Sequence, residues 1–385
     1  MEFIKNTEIK NKKVILRADL NVTINEGKII DDTKIIKSLE TINYLLENNN
    51  SVIVMSHLGK VKTEEDKEKN TLYPVYLRLK ELINNNIYFS KETKGSELEE
   101  LSNNLKEKEV LLIENTRYED LNGKLESGCN DDLASYWASL GDVFVNDAFG
   151  TSHRRHASTY GIKNHLPSYY GFLINAEKTK LDELINDPEK PFTVIMGGAK
   201  VEDKLKLIKE LLTTCDYLIV GGGIANTFLL ANNINVGESL VSLENIEEIK
   251  ELIKEYPEKI ITPIDFYVEN NNEKYYRELN DVKNDDKIFD IGEKSIEKYN
   301  EIINKTKTVF INGTVGLYED ERFKMGTVSL LTILKDSTAK TFVGGGDAVS
   351  ATNKLGFEND LYYKSTGGGA TLEYIIEKKM IALED

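Results

Sequence analysis

Residues 341–356, TFVGGGDAVSATNKLG, carry a short apolar run into three glycines and an aspartate, after which a helix-like stretch begins. The most flexible residues stand where a strand hands over to a helix. Similar passages recur at 194–200 (VIMGGAK), 218–228 (LIVGGGIANTF) and 365–374 (STGGGATLEY). Glycine admits a positive φ and lets a ligand lie against the main chain. A helix starting just beyond it offers free N–H groups and the positive end of its dipole, which together suit phosphate. One such loop is often only a turn; four in one half of a chain point to a phosphate-rich ligand. Neither the GxxxxGK-Ser/Thr pattern nor GxGxxG is present.

Working outward, short β-branched runs recur: VILR, VIVM, VLLI, VFV, TVIM, LIV, KIIT, TVFI and TFV. Each is apolar throughout rather than alternating, as in parallel strands buried on both faces. Amphipathic stretches such as DDTKIIKSLETINYLLENN and KVEDKLKLIKELLTT lie between them, so the pattern is α/β with parallel sheets. The runs fall into two groups, before and after about residue 170, separated by INAEKTKLDELINDPEKP, which reads as helix until Pro188. We expect one lobe over 1–170, a connecting helix over 171–188 and a second lobe from 189. KVKTEEDKEKN (60–70) reads as a solvated loop.

Ligands of open α/β sheets bind beyond the carboxyl ends of the strands. In the first half those positions are basic: Arg17, His57, Lys60, Arg117, His153, Arg154 and His156 lie at or soon after strand ends. Such a cluster suits a small, highly charged anion. His153 and His156 lack the HExxH pattern or a cysteine partner that would argue for a metal. In the second half the corresponding positions are mostly glycine. Lys200 and Lys204 are four apart and would share a helical face in its first turns, where a cation is unfavourable unless an anion is present; the bland alternative is a solvated face neutralised by Glu202 and Asp203. Asp347 would hold Mg2+ on a polyphosphate or serve as a helix N-cap.

Composition narrows the classes. The chain has 385 residues, enough for two domains, and a formal charge of −16, which disfavours nucleic acid and anionic membranes. Its two cysteines, Cys129 and Cys215, form no disulfide framework or zinc spacing. The N-terminus has no signal-peptide core and no run reaches the length of a membrane span. We expect a reduced, cytoplasmic protein.

The segments RADLNV, SHLGK, ENTRY, VNDAFGTSHRRHAS, GGAKVEDK, GGGIANTFL, INGTVGLYE, GGGDA and STGGGAT resemble, in order and over essentially the whole chain, those of the phosphoglycerate kinase family of the bacterial glycolytic type. The resemblance implies two doubly wound, Rossmann-like lobes joined by a helix and hinge. The N-terminal lobe would bind 3-phosphoglycerate or 1,3-bisphosphoglycerate, the lobe over 189–369 would bind MgADP or MgATP, and residues 370–385 would return to the N-terminal lobe. By motif, the phosphoglycerate site is Arg17, Asp19, Asn21, Lys34, His57, Lys60, Arg117, His153, Arg154 and His156. The nucleotide site is Lys200, Lys204, Gly292, Asn312, Glu319, Gly345, Gly346, Asp347 and Ala348. Asp347 would hold Mg2+, Glu319 would take ribose hydroxyls, and Lys34 and Lys200 would accompany the transferred phosphoryl group. The family suggests a monomer acting on small molecules.

The sequence also departs from the family. Lys34 stands where an essential arginine is usual, Thr314 where proline is, and Ala348 where a hydroxyl residue is. Tyr363 replaces a histidine, Glu40 a proline, and Lys60 a common arginine. These departures motivate a second reading: a phosphoglycerate-kinase-like binding protein, weakly active or inactive.

Overall fold

The computed structural model describes residues 2–384. All nine apolar runs are strands. The chain divides into two compact units: residues up to Thr179 together with those from Glu377 onward, and Lys180–Ile376. The boundary falls inside helix Phe172–Asn186.

The first unit is built on a seven-stranded sheet in the order Glu2–Phe3, Ser168–Tyr170, Val143–Asp147, Lys13–Ala18, Ser51–Met55, Val110–Leu112, Ile87–Phe89, with every pairing parallel. Strand Lys13–Ala18 shows why its run is unbroken. Val14, Leu16 and Ala18 enter one core and Ile15 enters the other, all at 0% exposure. Helix Thr33–Glu47 covers the first face with Ile35, Ile42, Leu45 and Leu46, at helical spacing; Leu98, Ala134 and Trp137 cover the second. Each fully buried aliphatic side chain contributes about 1.5–3 kcal/mol. Connections run one way from Lys13–Ala18 to Ser51–Met55 and return on its other side as Val143–Asp147. The order therefore reverses between these two strands, the place where such sheets open a crevice.

The second unit repeats the plan. Its six-stranded sheet runs Ile260–Ile261, Tyr217–Val220, Phe192–Met196, Thr308–Asn312, Lys340–Val343, Tyr363–Lys364, again with every pairing parallel. The reversal lies between Phe192–Met196 and Thr308–Asn312. A three-stranded antiparallel sheet, Glu273–Glu278, Asp265–Asn270, Lys287–Ile291, adds a small core of its own around Phe266 and Val268. Its hairpin turns on Asn271 and Asn272, both with positive φ (50° and 64°), the two-residue turn whose twist matches the strands.

Residues 60–70 are not simply a loop. Thr63 caps helix Glu64–Lys69: its side chain accepts from Asp66 N while Asp66 accepts from Thr63 N. Three acidic residues in the first turn and Lys67 and Lys69 in the last complement the helix dipole, so a segment that buries nothing is still helical. The chain end packs on the first unit through Ala382, which is 0% exposed and whose N–H donates to Ser152 O at 3.0 Å. Helix Gly369–Glu377, just before it, stays almost wholly with the second unit.

Candidate active site

In the first unit, four adjacent parallel strands deliver their carboxyl ends to one edge. Lys13–Ala18 brings Arg17, Asp19 and Asn21; Ser51–Met55 brings His57 and Lys60; Val110–Leu112 brings Arg117; Val143–Asp147 brings His153, Arg154 and His156. Asp19 is buried and accepts from Lys34 Nζ at 2.8 Å. Burial pushes the Asp19 carboxyl up, but the Lys34 ammonium, through its charge and its hydrogen bond, and the Arg17 charge help hold the group below its ordinary value. Asn21 Oδ1 accepts from Gly59 N at 2.9 Å, joining two of the loops. Lys60 is exposed and Lys34 partly so.

Arg117 donates through Nη1 to Asp120 at 2.8 Å, and its buried Nε has no partner. His153 Nε2 accepts from Arg154 Nε at 2.9 Å. The buried Nδ1 atoms of His153 and His156 also lack partners. Burial and neighbouring arginines push the two imidazoles down to about 4 and about 3. Unpartnered ring nitrogens inside a crowded cationic field are what an anion would relieve. Arg17 stands behind this mouth rather than in it. It is 0% exposed, and its nitrogens meet Ser158 Oγ (2.9 Å), Ala18 O (2.5 Å) and His57 Nδ1 (3.2 Å).

The second unit builds its mouth from backbone. Lys200 and Lys204 do not share a helical face: the chain turns between them, and helix Leu205–Thr214 begins with Lys204 as its cap residue. Gly198 has φ +117°, and Lys204 Nζ reaches back to Gly197 O at 2.6 Å. Burial lowers the Lys204 pKa, with Asp347 and Asp203 opposing. Lys200 is exposed. Glu202 accepts from Ser242 Oγ at 2.6 Å and also feels the Lys200 charge, as Asp203 acts on Lys204, so the two carboxylates offset part of the pair's charge.

The glycine loops divide into two kinds. A Cβ on Gly197 would lie 2.0 Å from Thr314 O, and one on Gly223 2.1 Å from Ala199 O, so these glycines let the loops at the sheet's reversal pack main chain on main chain. Cβ atoms on Gly346, Gly368 and Gly369 would meet nothing within 4 Å. Those three stand open at the starts of helices Gly346–Lys354 and Gly369–Glu377. Gly345 caps the first of these, so Asp347 is not its N-cap; it lies exposed in the first turn. Ala348 is buried. Asn312 donates to Gly344 O at 2.7 Å and its buried Oδ1 has no partner. Glu319 is exposed. Gly292 caps helix Glu293–Ile303; a side chain there would collide with Asp265, whose carboxylate accepts from Lys294 N and Ser295 N at 2.9 and 2.8 Å.

Several residues were not singled out by sequence reasoning. Asn115, 0% exposed, fixes the SHLGK loop by donating to Leu58 O (2.7 Å) and accepting from Leu58 N (3.1 Å) and Arg117 N (3.0 Å). Glu126 and Ser158 back Arg17. Beside Gly222 lies a small, partly open cleft lined in part by Asn226, Phe289, Asp290 and Val315. Asn226 Oδ1 is buried without a partner, and burial pushes the Asp290 carboxyl up to about 7. Spacing along the chain does not announce any of these.

Among the described residues no group of three or more His, Cys, Asp or Glu could hold a metal ion. A single exposed carboxylate, Asp347, beside open glycine backbone fits Mg2+ shared with phosphate oxygens, not a resident metal cage.

Residues 4–378 match the family model described as Phosphoglycerate kinase. The chain is 42% identical over 384 residues to the phosphoglycerate kinase of Staphylococcus epidermidis, covering 98% of this chain and 97% of that protein. It is 43% identical over 388 residues to that of Enterococcus faecalis, covering 99% and 97%. Among solved structures, phosphoglycerate kinase from Pyrococcus horikoshii superposes with a TM-score of 0.87 at 31% identity, covering 100% of this chain and 98% of that one. That from Coxiella burnetii gives 0.85 at 32%, covering 99% and 97%. A basic mouth on one doubly wound unit, a glycine-lined mouth on the other and these likenesses along the full chain lead to one assignment: the chain belongs to the phosphoglycerate kinase family.

Proposed function

We propose that the mouth of the first unit takes 3-phosphoglycerate or 1,3-bisphosphoglycerate, that the mouth of the second takes MgADP or MgATP, and that the phosphoryl group passes between them directly and in line. The family's activity is a phosphotransfer using ATP and ADP. The observation that carries the residue assignment is the set of unpartnered nitrogens on Arg117, His153 and His156, gathered in one cationic mouth at the reversal of the sheet.

In-line transfer spreads charge over the equatorial oxygens of the moving group, and the protein's task is to align and neutralise it. Arg117, Arg154 and the two histidines orient the acceptor. Lys34, drawn to Asp19, supplies a cation at its edge. In the second unit, Lys200 follows the transferred phosphoryl group, while Gly346 and the first turn of helix Gly346–Lys354 give the phosphates bare backbone. Bound Mg2+, held by Asp347, would neutralise phosphate charge. Glu319 receives the ribose hydroxyls. Each unit holds one substrate, so the transfer needs the units to close on one another; small-angle scattering profiles that match with and without both ligands would count against closure.

The binding-only reading is not favoured: Lys200, Lys204, Glu319, Asp347 and Arg154 are all retained. We further propose a cytoplasmic monomer acting on small molecules; the charge of −16 argues against nucleic acid. No helix among the described residues is long and apolar enough to cross a membrane.

Titration calorimetry tests the assignment. Arg117→Ala should weaken 3-phosphoglycerate by about tenfold or more and leave MgADP unchanged, and Asp347→Asn should do the reverse. Parallel loss of both ligands in either variant would overturn the division of labour.

A further inference from the structure

We propose that Glu126 is a positioning residue for the acceptor site: acting through Ser158 and Arg17, it holds the His57 imidazole in the tautomer that carries its proton on Nε2. This rests on the reading of the basic mouth as the phosphoglycerate site.

The four residues come from distant parts of the chain. Glu126 and Arg17 are both 0% exposed. The Glu126 carboxylate accepts the Ser158 N–H at 2.9 Å and the Ser158 hydroxyl proton. With its one proton committed there, Ser158 Oγ can only accept from Arg17 Nε, at 2.9 Å. A guanidinium has no acceptor. His57 Nδ1, 3.2 Å from Arg17 Nη2, must therefore be the acceptor and bare. Burial, then the Arg17 charge, hold the His57 pKa well below its ordinary value, so the ring is neutral and its remaining proton sits on Nε2.

The chemistry gives this a purpose. Arg17, Arg117 and Lys34 already disfavour a further cation at His57, and Asp19 only partly offsets them. A neutral imidazole with Nε2–H still donates to an anion, whereas the other tautomer would turn a lone pair toward it. Arg17 can enforce this only while it is held in place and its buried charge is compensated. Glu126 anchors Ser158 and its charge acts on Arg17, while Arg17 and the two Ser158 hydrogen bonds oppose the upward push of burial on its own carboxyl; its carbonyl also accepts from Ala157 N at 2.9 Å, beside His156. Asp19 alone would leave Arg17 without its Ser158 anchor.

The test is nitrogen NMR of the histidine rings in the full chain, with 3-phosphoglycerate and MgADP affinities measured on the same samples. The native protein should show His57 protonated on Nε2 at neutral pH. Ser158→Ala and Glu126→Gln should mix the tautomers and weaken 3-phosphoglycerate about tenfold, the effect of one lost charge-assisted hydrogen bond, with MgADP unchanged. Ser158→Thr, which keeps the hydroxyl, should restore both readouts. A merely structural Glu126 would lower Tm without moving the tautomer of the folded protein. Should Glu126→Gln fail to fold, Ser158→Ala, which leaves the Ser158 N–H on Glu126, decides alone. Native tautomer and native affinity in the variants that fold would overturn the relay. A native protein that does not bind 3-phosphoglycerate at all, with the tautomer as described, would overturn the reading of the mouth and the positioning role with it.

Discussion

The two mouths sit at equivalent places, the reversal point of a parallel sheet, yet they are made of different material. The first is built of side chains that bond one another: Lys34 to Asp19, Asn21 to Gly59, Arg117 to Asp120, Arg17 to His57. The second is built of main chain, with Gly197 against Thr314, Gly223 against Ala199 and open glycines at two helix starts. A side-chain mouth can be tuned group by group and answers to pH. A main-chain mouth answers to volume, because there a single methyl group is the smallest possible error.

The largest effect expected from this contrast is Gly197→Ala. Its Cβ would lie 2.0 Å from a backbone oxygen that cannot swing away. Destabilisation of the second unit by about 3 kcal/mol is expected in chemical denaturation. Gly346→Ala, into open space, should leave stability within about 0.5 kcal/mol and weaken MgADP instead. Equal destabilisation by both would erase the distinction between packing glycines and open ones.

Lys34→Arg sharpens the other side. The lysine is a point charge anchored on Asp19, where a guanidinium would offer two parallel donors to oxygens. Turnover should rise several-fold, roughly 1 kcal/mol of transition-state binding, with MgADP affinity unchanged. An unchanged or slower variant would show a mouth adapted to lysine.

A smaller effect follows from the histidines. At about 4 and about 3, His153 and His156 are neutral near pH 7, and a bound anion raises both. Binding of 3-phosphoglycerate should therefore take up protons and strengthen as pH falls. Calorimetry in buffers of different ionisation enthalpy reads the uptake; the second mouth, with no histidine, should show none from this source.

A further pH effect, on stability, concerns the start of the connecting helix. Phe172 N donates to Thr41 Oγ1 at 3.0 Å and Ile174 N to Asp147 Oδ1 at 3.1 Å, while burial pushes Asp147 up to about 7. A carboxyl that binds its proton more tightly when folded adds stability that is fully present below the ordinary carboxyl pKa and lost as pH rises through about 7. Asp147→Asn should remove that slope, so the variant should gain on the native protein between pH 5 and 8. The histidines run the opposite way: their contribution is present above the ordinary imidazole pKa and lost as pH falls through the native values.

The same contrast explains what the sequence discloses. Strands buried on both faces write themselves as unbroken apolar runs, so both sheets and the helix between them were legible. Residues just beyond those runs were legible as a mouth because parallel strands end on one edge. Glu126 and Asn115 were not, because their partners lie far along the chain: Ser158 is 32 residues from Glu126, and Leu58 is 57 from Asn115. The antiparallel sheet escaped because its strands alternate and its signal is a two-asparagine turn. The capping box at Thr63 and Asp66 was hidden by a run of charge. The spacing of Lys200 and Lys204 misled, since the helix starts only at Leu205 and Lys204 is its cap residue.

The most direct test of the account is steady-state transfer from MgATP to 3-phosphoglycerate by the purified protein in a coupled assay. Turnover should be abolished when either substrate is omitted and strongly reduced by Arg117→Ala or Asp347→Asn. A native protein that binds both ligands yet transfers nothing would contradict it.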